Sequence, residues 1–403
     1  MIAAISAARM GAEVTLLEGG DRIGRKILST GNGKCNFTNK KMDNTCFRSN
    51  TSADISPFLN EFGVEDTLAF FASLQMLYKE KHGYFYPASE QASTVLDVLR
   101  FEIESHAAQI KVLTGFKARM LTYHKNGTVK VQCGTESFVF DRVILACGSK
   151  ASPKTGSDGT GYQLLRSLKC DCHMEEVVPA LVQLKCNGDF FKGIAGVRTD
   201  VRVSLYTVGR NGELEAFLAA DSGELQLTDY GISGIPVFQI SRFIKRELDR
   251  NNKPVVHINF MPDYNDRKLN GILTGFVGHN PSLEIKDALN GILNKKISPV
   301  ILKQSGIKPS EICQNITASN IKTIVRNILD FKVTPVDTNG VDNAQVCAGG
   351  VDLAQINLDT MESRIVNKLY FAGEILDVDG KCGGYNLQWA FASGRLAGLS
   401  AVR

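Results

Sequence analysis

Gly373-Glu374 closes the short apolar run Leu369–Ala372, and a second glycine-rich turn, Asp379-Gly380-Lys381-Cys382-Gly383-Gly384, leads through Tyr385 and Asn386 into a run of small residues. That order sets a carboxylate at the end of a strand beside backbone N–H groups at the start of a helix. Helix N-termini stabilise negative charge. The arrangement suits a flavin: N–H groups meet the ring edge where charge gathers on reduction, and the acid binds a ribityl or ribose hydroxyl. The expected contacts here are Gly373, Glu374, Asp377, Gly384, Tyr385, Asn386 and Leu387. A plain strand–turn–helix corner explains either motif alone but not both together.

The first residues, Ala3 to Gly11, read as a small-residue helix closed by glycine. Val14–Glu18 follows as a short buried strand. An acid at this point of a βαβ unit binds ribose hydroxyls, and Glu18 stands there. The strand and the Gly-x-Gly-x-x-Gly turn that precede such an acid are absent from the sequence. Gly156-Ser-Asp-Gly159-Thr-Gly161 does not replace them. The expectation is a clipped start, with roughly 15–20 residues upstream; the alternative is a chain that binds its cofactor poorly.

After Glu18 come Arg25, Lys26, Thr30, Gly31, Asn32, Gly33, Cys35 and Asn36. Two cations and a Gly-Asn-Gly loop suit pyrophosphate and close backbone approach to a flat ring. Asn-Gly is also a turn signal, so a hairpin is the plain alternative. Beside Glu18 and the C-terminal cluster the cofactor reading is preferred.

Together these segments resemble the bacterial NAD(P)/FAD-dependent oxidoreductases of the BaiN type, which include a bile-acid 3-dehydro-Δ4,6-reductase and aminoacetone-oxidase-like enzymes. The resemblance rests on Gly24–Asn36, Val143–Gly148, Pro153–Tyr162, Gly223–Gly234, Gly349–Val351, Thr360–Ser363 and the C-terminal run, and spans nearly the whole chain. It implies FAD and a glutathione-reductase-type, Rossmann-like α/β domain, here without its first strand and GxGxxG turn, carrying an inserted β-barrel plus helical domain. It also implies backbone contacts to the cofactor from Ala118 (adenine), Ala146 and Gly148. Cys147 stands where many relatives have threonine, while the Ala-x-Gly turn survives.

The implied organisation is 1–182 and 333–403 for the cofactor domain and 183–332 for the insertion, with a barrel about 183–262 and helices about 263–332. Residues 51–110 read as mainly helical, with an aromatic patch of Tyr78, Tyr84, Phe85 and Tyr86 beside His82. Residues 111–140 read as three strands around Asn126-Gly127. In the insertion, 201–205, 213–219 and 255–260 read as strands and 235–248 as a helix. Gly231-Ile-Ser-Gly234 is not a hydrolase elbow.

The chain has 403 residues and a net charge of +4, with no Lys/Arg block, so nucleic acid is not an expected partner. No apolar run is long enough for a membrane span. The 10 cysteines are scattered, which suits a cytoplasmic protein with reduced thiols. Cys170-Asp-Cys172-His173 lacks a second ligand pair, so no metal is expected. Cys35 and Cys382 read as small buried thiols, with a redox role as the alternative.

The expected activity is NADH- or NADPH-dependent reduction of a carbon–carbon double bond conjugated to a ketone in a small molecule, with a 3-oxo-4,6-diene steroid as the named candidate. Tyr385 is the candidate proton donor. The rivals are an amine oxidase using the same flavin contacts, a scaffold that holds no FAD, and a tRNA-modifying flavoprotein.

Overall fold

The computed structural model describes residues 1–51, 54–208 and 216–403. Two compact units divide it: Met1–Ala180 with Val341–Arg403, and Leu181–Gly340.

In the first unit, the opening helix Ile2–Arg9 is capped by Met10, and Gly11 takes φ +90°. Glycine suits that left-handed position because it has no Cβ to clash. Val14–Glu18 pairs in parallel with Ile110–Thr114, and Val143–Leu145 pairs in parallel with Leu369–Phe371. These runs are rich in valine, isoleucine and leucine, the composition of parallel strands, and of the four, Leu369–Phe371 alone is fully buried. Val14–Glu18 is half-buried throughout rather than fully buried.

The segment expected to be mainly helical contains the helices Ser56–Glu61, Val64–Ser73 and Ala92–Ser105, but also a β-hairpin, Tyr78–Lys81 with Tyr84–Pro87. His82 and Gly83 turn it with φ +54° and +87°, the double positive φ of a tight two-residue hairpin. The alternation of Tyr84, Phe85 and Tyr86 was its signal. Four strands rather than three span 110–140: Ile110–Thr114, then the meander Met120–Tyr123, Val129–Cys133 and Glu136–Phe140.

The C-terminal helix Tyr385–Ser400 is buried around most of its circumference, the pattern of a central helix. Trp389 and Tyr385 enter one core cluster with Phe371 and Leu145. Phe391 and Ala392 enter another with Ile5, Phe37 and Phe71. Its small residues allow a close crossing with the first helix: a Cβ on Gly398 would lie 2.4 Å from the Ala3 carbonyl oxygen.

The second unit is built on a seven-stranded antiparallel sheet. Its edge strands, Phe331–Val333 and Pro335–Thr338, are separated by Thr334 alone. A sheet whose first and last strands are chain neighbours has to curl round. Arg198–Val208, Ala216–Leu227 and Lys253–Asn259 supply its long strands, and 213–215 of one expected strand lie outside the described residues. Val203, Leu205, Val256 and Ile258 point into a core closed by the helices Ile235–Asp249, Asp266–His279 and Ala318–Leu329. Leu184–Cys186, near the entry to this unit, pairs with Pro335–Thr338, near its exit.

No helix among the described residues is long and apolar enough to cross a membrane. Gly398→Ala is expected to cost about 1–3 kcal/mol by overpacking the two terminal helices. A lower urea midpoint at unchanged m-value checks this.

Candidate functional site

The carboxylate of Glu18 accepts from the Gly20 N–H at 2.7 Å, and the Glu18 carbonyl accepts from Phe116 N at 2.9 Å. The 115–118 loop, with Ala118, therefore runs beside this strand end. Ala118 sits in the loop between two strands, not on a strand.

The 3₁₀ segment Arg25–Gly33 starts near Glu18. A Cβ on Gly20 would lie 3.2 Å from Glu18 Oε1 and 3.4 Å from Arg25 Nη1. Arg25 donates to the Lys154 carbonyl at 2.7 Å. Lys26 pairs with Glu374 at 2.7 Å across 348 residues of chain. Both partners are partly shielded, so this pair is screened less than a surface one. Thr30 Oγ1 donates to the Ile27 carbonyl at 2.6 Å and ends the first turn. Gly31, Asn32 and Gly33 then all take positive φ, and all three are exposed.

The residues that follow this segment, Asn36 to Asn39, meet the C-terminal turn. A Cβ on Gly31 would sit 2.8 Å from Asn36 N. A Cβ on Gly384 would sit 2.8 Å from the Thr38 carbonyl group and 2.9 Å from Asn36 Oδ1. Asn36 Oδ1 is buried and accepts no hydrogen bond. Asn39 Nδ2 donates to the Gly383 carbonyl at 3.0 Å. Below them Gln388 is fully buried, accepting from Thr38 and Thr67 and donating to the Phe62 carbonyl. The stretch from Arg25 to Asn39 thus runs from the Glu18 end to the Gly384 end.

Other expected residues are used inside the protein. Asp377 is fully buried and accepts from Ser49 Oγ, Asn50 N, Asn50 Nδ2 and Gly349 N at 2.7–3.1 Å. Asn386 exchanges two hydrogen bonds with Gly380, at 2.8 and 2.9 Å. Leu387 packs against the core cluster around Phe71. The Gly373 N–H donates to Ser393 Oγ at 2.9 Å, and its carbonyl accepts from Trp389 Nε1 at 3.2 Å.

Tyr385, expected as proton donor, is 7% exposed and lies edge-to-face on Phe47 with ring centroids 5.9 Å apart. Burial, with Cys46 beside it, holds its hydroxyl well above the usual tyrosine value. The structure gives it a packing role. Tyr84 is better exposed: its ring passes 2.8 Å from where a Gly383 Cβ would stand.

Ala146 and Gly148 follow the Val143–Leu145 strand, and Gly148 has φ +71°. A Cβ there would meet Ser157 Oγ at 2.7 Å, a contact no sequence pattern announces. Cys147 is exposed to water on one side and crowded by protein on the other. Burial pushes its thiol up to about 11, with Glu18 and Asp158 adding to the effect. Cys35 is fully buried and also pushed up to about 11 by burial. Neither is a ready thiolate nucleophile.

The Cys170 and Cys172 sulfurs lie 2.9 Å apart, while ligand atoms of His173, Glu175 and Asp352 come within 4.8 Å of one another. The sequence offered no spacing that joins Asp352 to this group.

Residues 1–400 match the family described as HI0933-like protein Rossmann domain. The chain is 44% identical to a 3-dehydro-bile acid delta(4,6)-reductase of Clostridium scindens over 100% of this chain and 96% of the relative. It is 28% identical to a ribosomal RNA dihydrouridine synthase of Haemophilus influenzae over 100% of this chain and 96% of that one. A solved 3-ketosteroid-Δ4-(5α)-dehydrogenase from Rhodococcus jostii aligns with 100% of this chain and 94% of its own at 13% identity and a TM-score of 0.46.

Asp377→Ala strips four donors of their buried acceptor, the Gly349 N–H among them fully enclosed, and is expected to cost about 1–3 kcal/mol. Thermal unfolding of the variant measures it.

Proposed function

The chain belongs to the HI0933-like Rossmann family, and from that premise we propose that it is an FAD-dependent oxidoreductase. The proposed reaction is NADH- or NADPH-dependent reduction of a double bond conjugated to a carbonyl, in the cytoplasm. The named substrate candidate is a 3-oxo-4,6-diene steroid of the bile-acid kind, after the relative from Clostridium scindens.

The observation that carries this reading is the junction of Arg25–Asn36 with both Glu374 and the Gly384 turn. The donor set fits the cofactor. Arg25 and Lys26 suit its phosphates, and Glu18 suits ribose hydroxyls. The buried acceptor Asn36 Oδ1, which has no partner, suits a ring N–H. An orphaned buried acceptor is costly unless a ligand satisfies it. The chemistry FAD supplies when bound is hydride transfer. The protein's part is to hold the ring, keep water from it and deliver a proton to the α-carbon. Tyr84, beside Gly383, is better placed for that proton than the packed Tyr385.

A second reading is favoured by the relative from Haemophilus influenzae, whose name is ribosomal RNA dihydrouridine synthase. The 5,6 double bond of uracil is conjugated to a carbonyl, so the chemistry is of the same kind. The expectation of no nucleic-acid partner rested on the lack of a basic run. In space, however, Lys34, Lys79 and Lys81 gather around Glu90.

The purified protein is expected to be yellow. Anaerobic NADPH should bleach the flavin band, and the dienone steroid should restore it. Bleaching by an amine but not by NADPH would establish the oxidase instead, and colourless protein would remove the cofactor. Tyr84→Phe is expected to lower kcat for enone reduction roughly tenfold or more while NADPH bleaching persists. Tyr385→Phe should leave that rate nearly unchanged.

A further inference from the structure

The hairpin beside the Gly384 turn has one face of mixed character. Lys79 pairs directly with Tyr86, and Lys81 with Tyr84. Residues directly opposite on antiparallel strands project to the same side, so two lysines and two tyrosines share a face. Phe85, on the reverse, is buried.

The tyrosine face adjoins the turn. Tyr84 lies against Gly383, and Cys382 is one of the groups that hold the Tyr86 hydroxyl above its ordinary value, after burial and Tyr84. The neighbouring strand Thr38–Asn39 pairs with Tyr84 and Phe85 and carries the Thr38 carbonyl that Gly384 touches.

The lysine end converges on one carboxylate. Lys79 reaches Glu90 at 2.7 Å and Lys34 reaches it at 3.4 Å, while Lys81 also pairs with it. Three ammonium groups around a single carboxylate leave a local excess of two positive charges. Lys79 and Lys81 draw the Glu90 carboxyl down to about 2, so it is ionised at neutral pH.

We propose that the face formed by Lys79, Lys81, Tyr84 and Tyr86, with Lys34 at its rim, receives a substrate with a flat apolar body and a carboxylate tail. Glu90 is the internal carboxylate that offsets one of the three lysine charges, and the remaining positive charge draws the substrate's own carboxylate. This deepens the reading above and rests on the Gly384 turn being the reacting end. A compact carboxylate fits better than a nucleic-acid strand, because the lysines gather on a point. A strand would need cations spaced along its backbone.

The substitutions change charge in opposite senses. In the flavin-loaded full chain, KM is measured for a 3-oxo-4,6-diene steroid acid and for its methyl ester. Binding of the saturated 3-oxo acid and of its ester is measured by calorimetry, which does not depend on turnover. The double variant K79Q/K81Q should weaken the acid about three- to fivefold, the scale of exposed ion pairs, leaving the ester and kcat unchanged. Glu90→Gln should tighten the acid by a similar factor, and added salt should weaken the acid alone.

Equal responses of acid and ester, or looser acid binding in Glu90→Gln, would overturn the proposal. So would tight, salt-steep binding of an oligouridylate that K79Q/K81Q abolishes, which assigns the face to RNA. If wild type binds the acid selectively but never reduces the dienone, the functional reading fails and this one stands. If it reduces acid and ester with equal KM, the reverse holds.

Discussion

The close approach of Gly384 to the Thr38 backbone is the constraint on which the candidate site depends. No side chain larger than hydrogen fits there, because the Cβ would fall 2.8 Å from the Thr38 carbonyl group. Gly384 also has φ +92°, a conformation other residues avoid. The contact joins the last helix to the short strand Thr38–Asn39, and Gln388 fastens the joint from below through Thr38, Thr67 and Phe62. Segments from the two ends of the chain are thereby held together over one buried acceptor.

Charge is handled differently at each point around this joint. Asp377 is locked by four donors and keeps the supporting strands in place. Glu374 keeps one partner, Lys26, and both retain some exposure, 13% and 29%. Such a pair can open toward a ligand at moderate cost, whereas a buried acid stripped of its donors cannot. Two carboxylates three residues apart in sequence are therefore held differently, one by four donors and one by a single ion pair.

Much of this was legible from local chemistry. Glu18 at a strand end, the cations Arg25 and Lys26, and the glycine turn before Tyr385 all announce themselves by residue type and spacing, and the structure joins them. What escaped depends on long-range pairing. Nothing near Asp377 in sequence names Ser49 or Asn50 as its donors. Tyr385 follows the turn directly, as an active residue would, yet its ring falls on Phe47. The hairpin at 78–87 was masked by helical neighbours, although the alternation of lysines and tyrosines carried the period of a strand. Its lysines are spread over 34, 79 and 81, so a linear scan for basic runs misses them.

The pairing of Leu184–Cys186 with Pro335–Thr338 has a bearing on how such a chain can change over time. Partners in an antiparallel ladder stand roughly 5 Å apart. Gln183 and Asn339 are bonded just outside it, through Asn339 N to the Gln183 carbonyl at 2.9 Å. The excursion of 160 residues, Leu181–Gly340, thus leaves and returns through a doorway two backbones wide. A gene could lengthen, trim or exchange that module while asking the flanking architecture to bridge little more than a single hairpin.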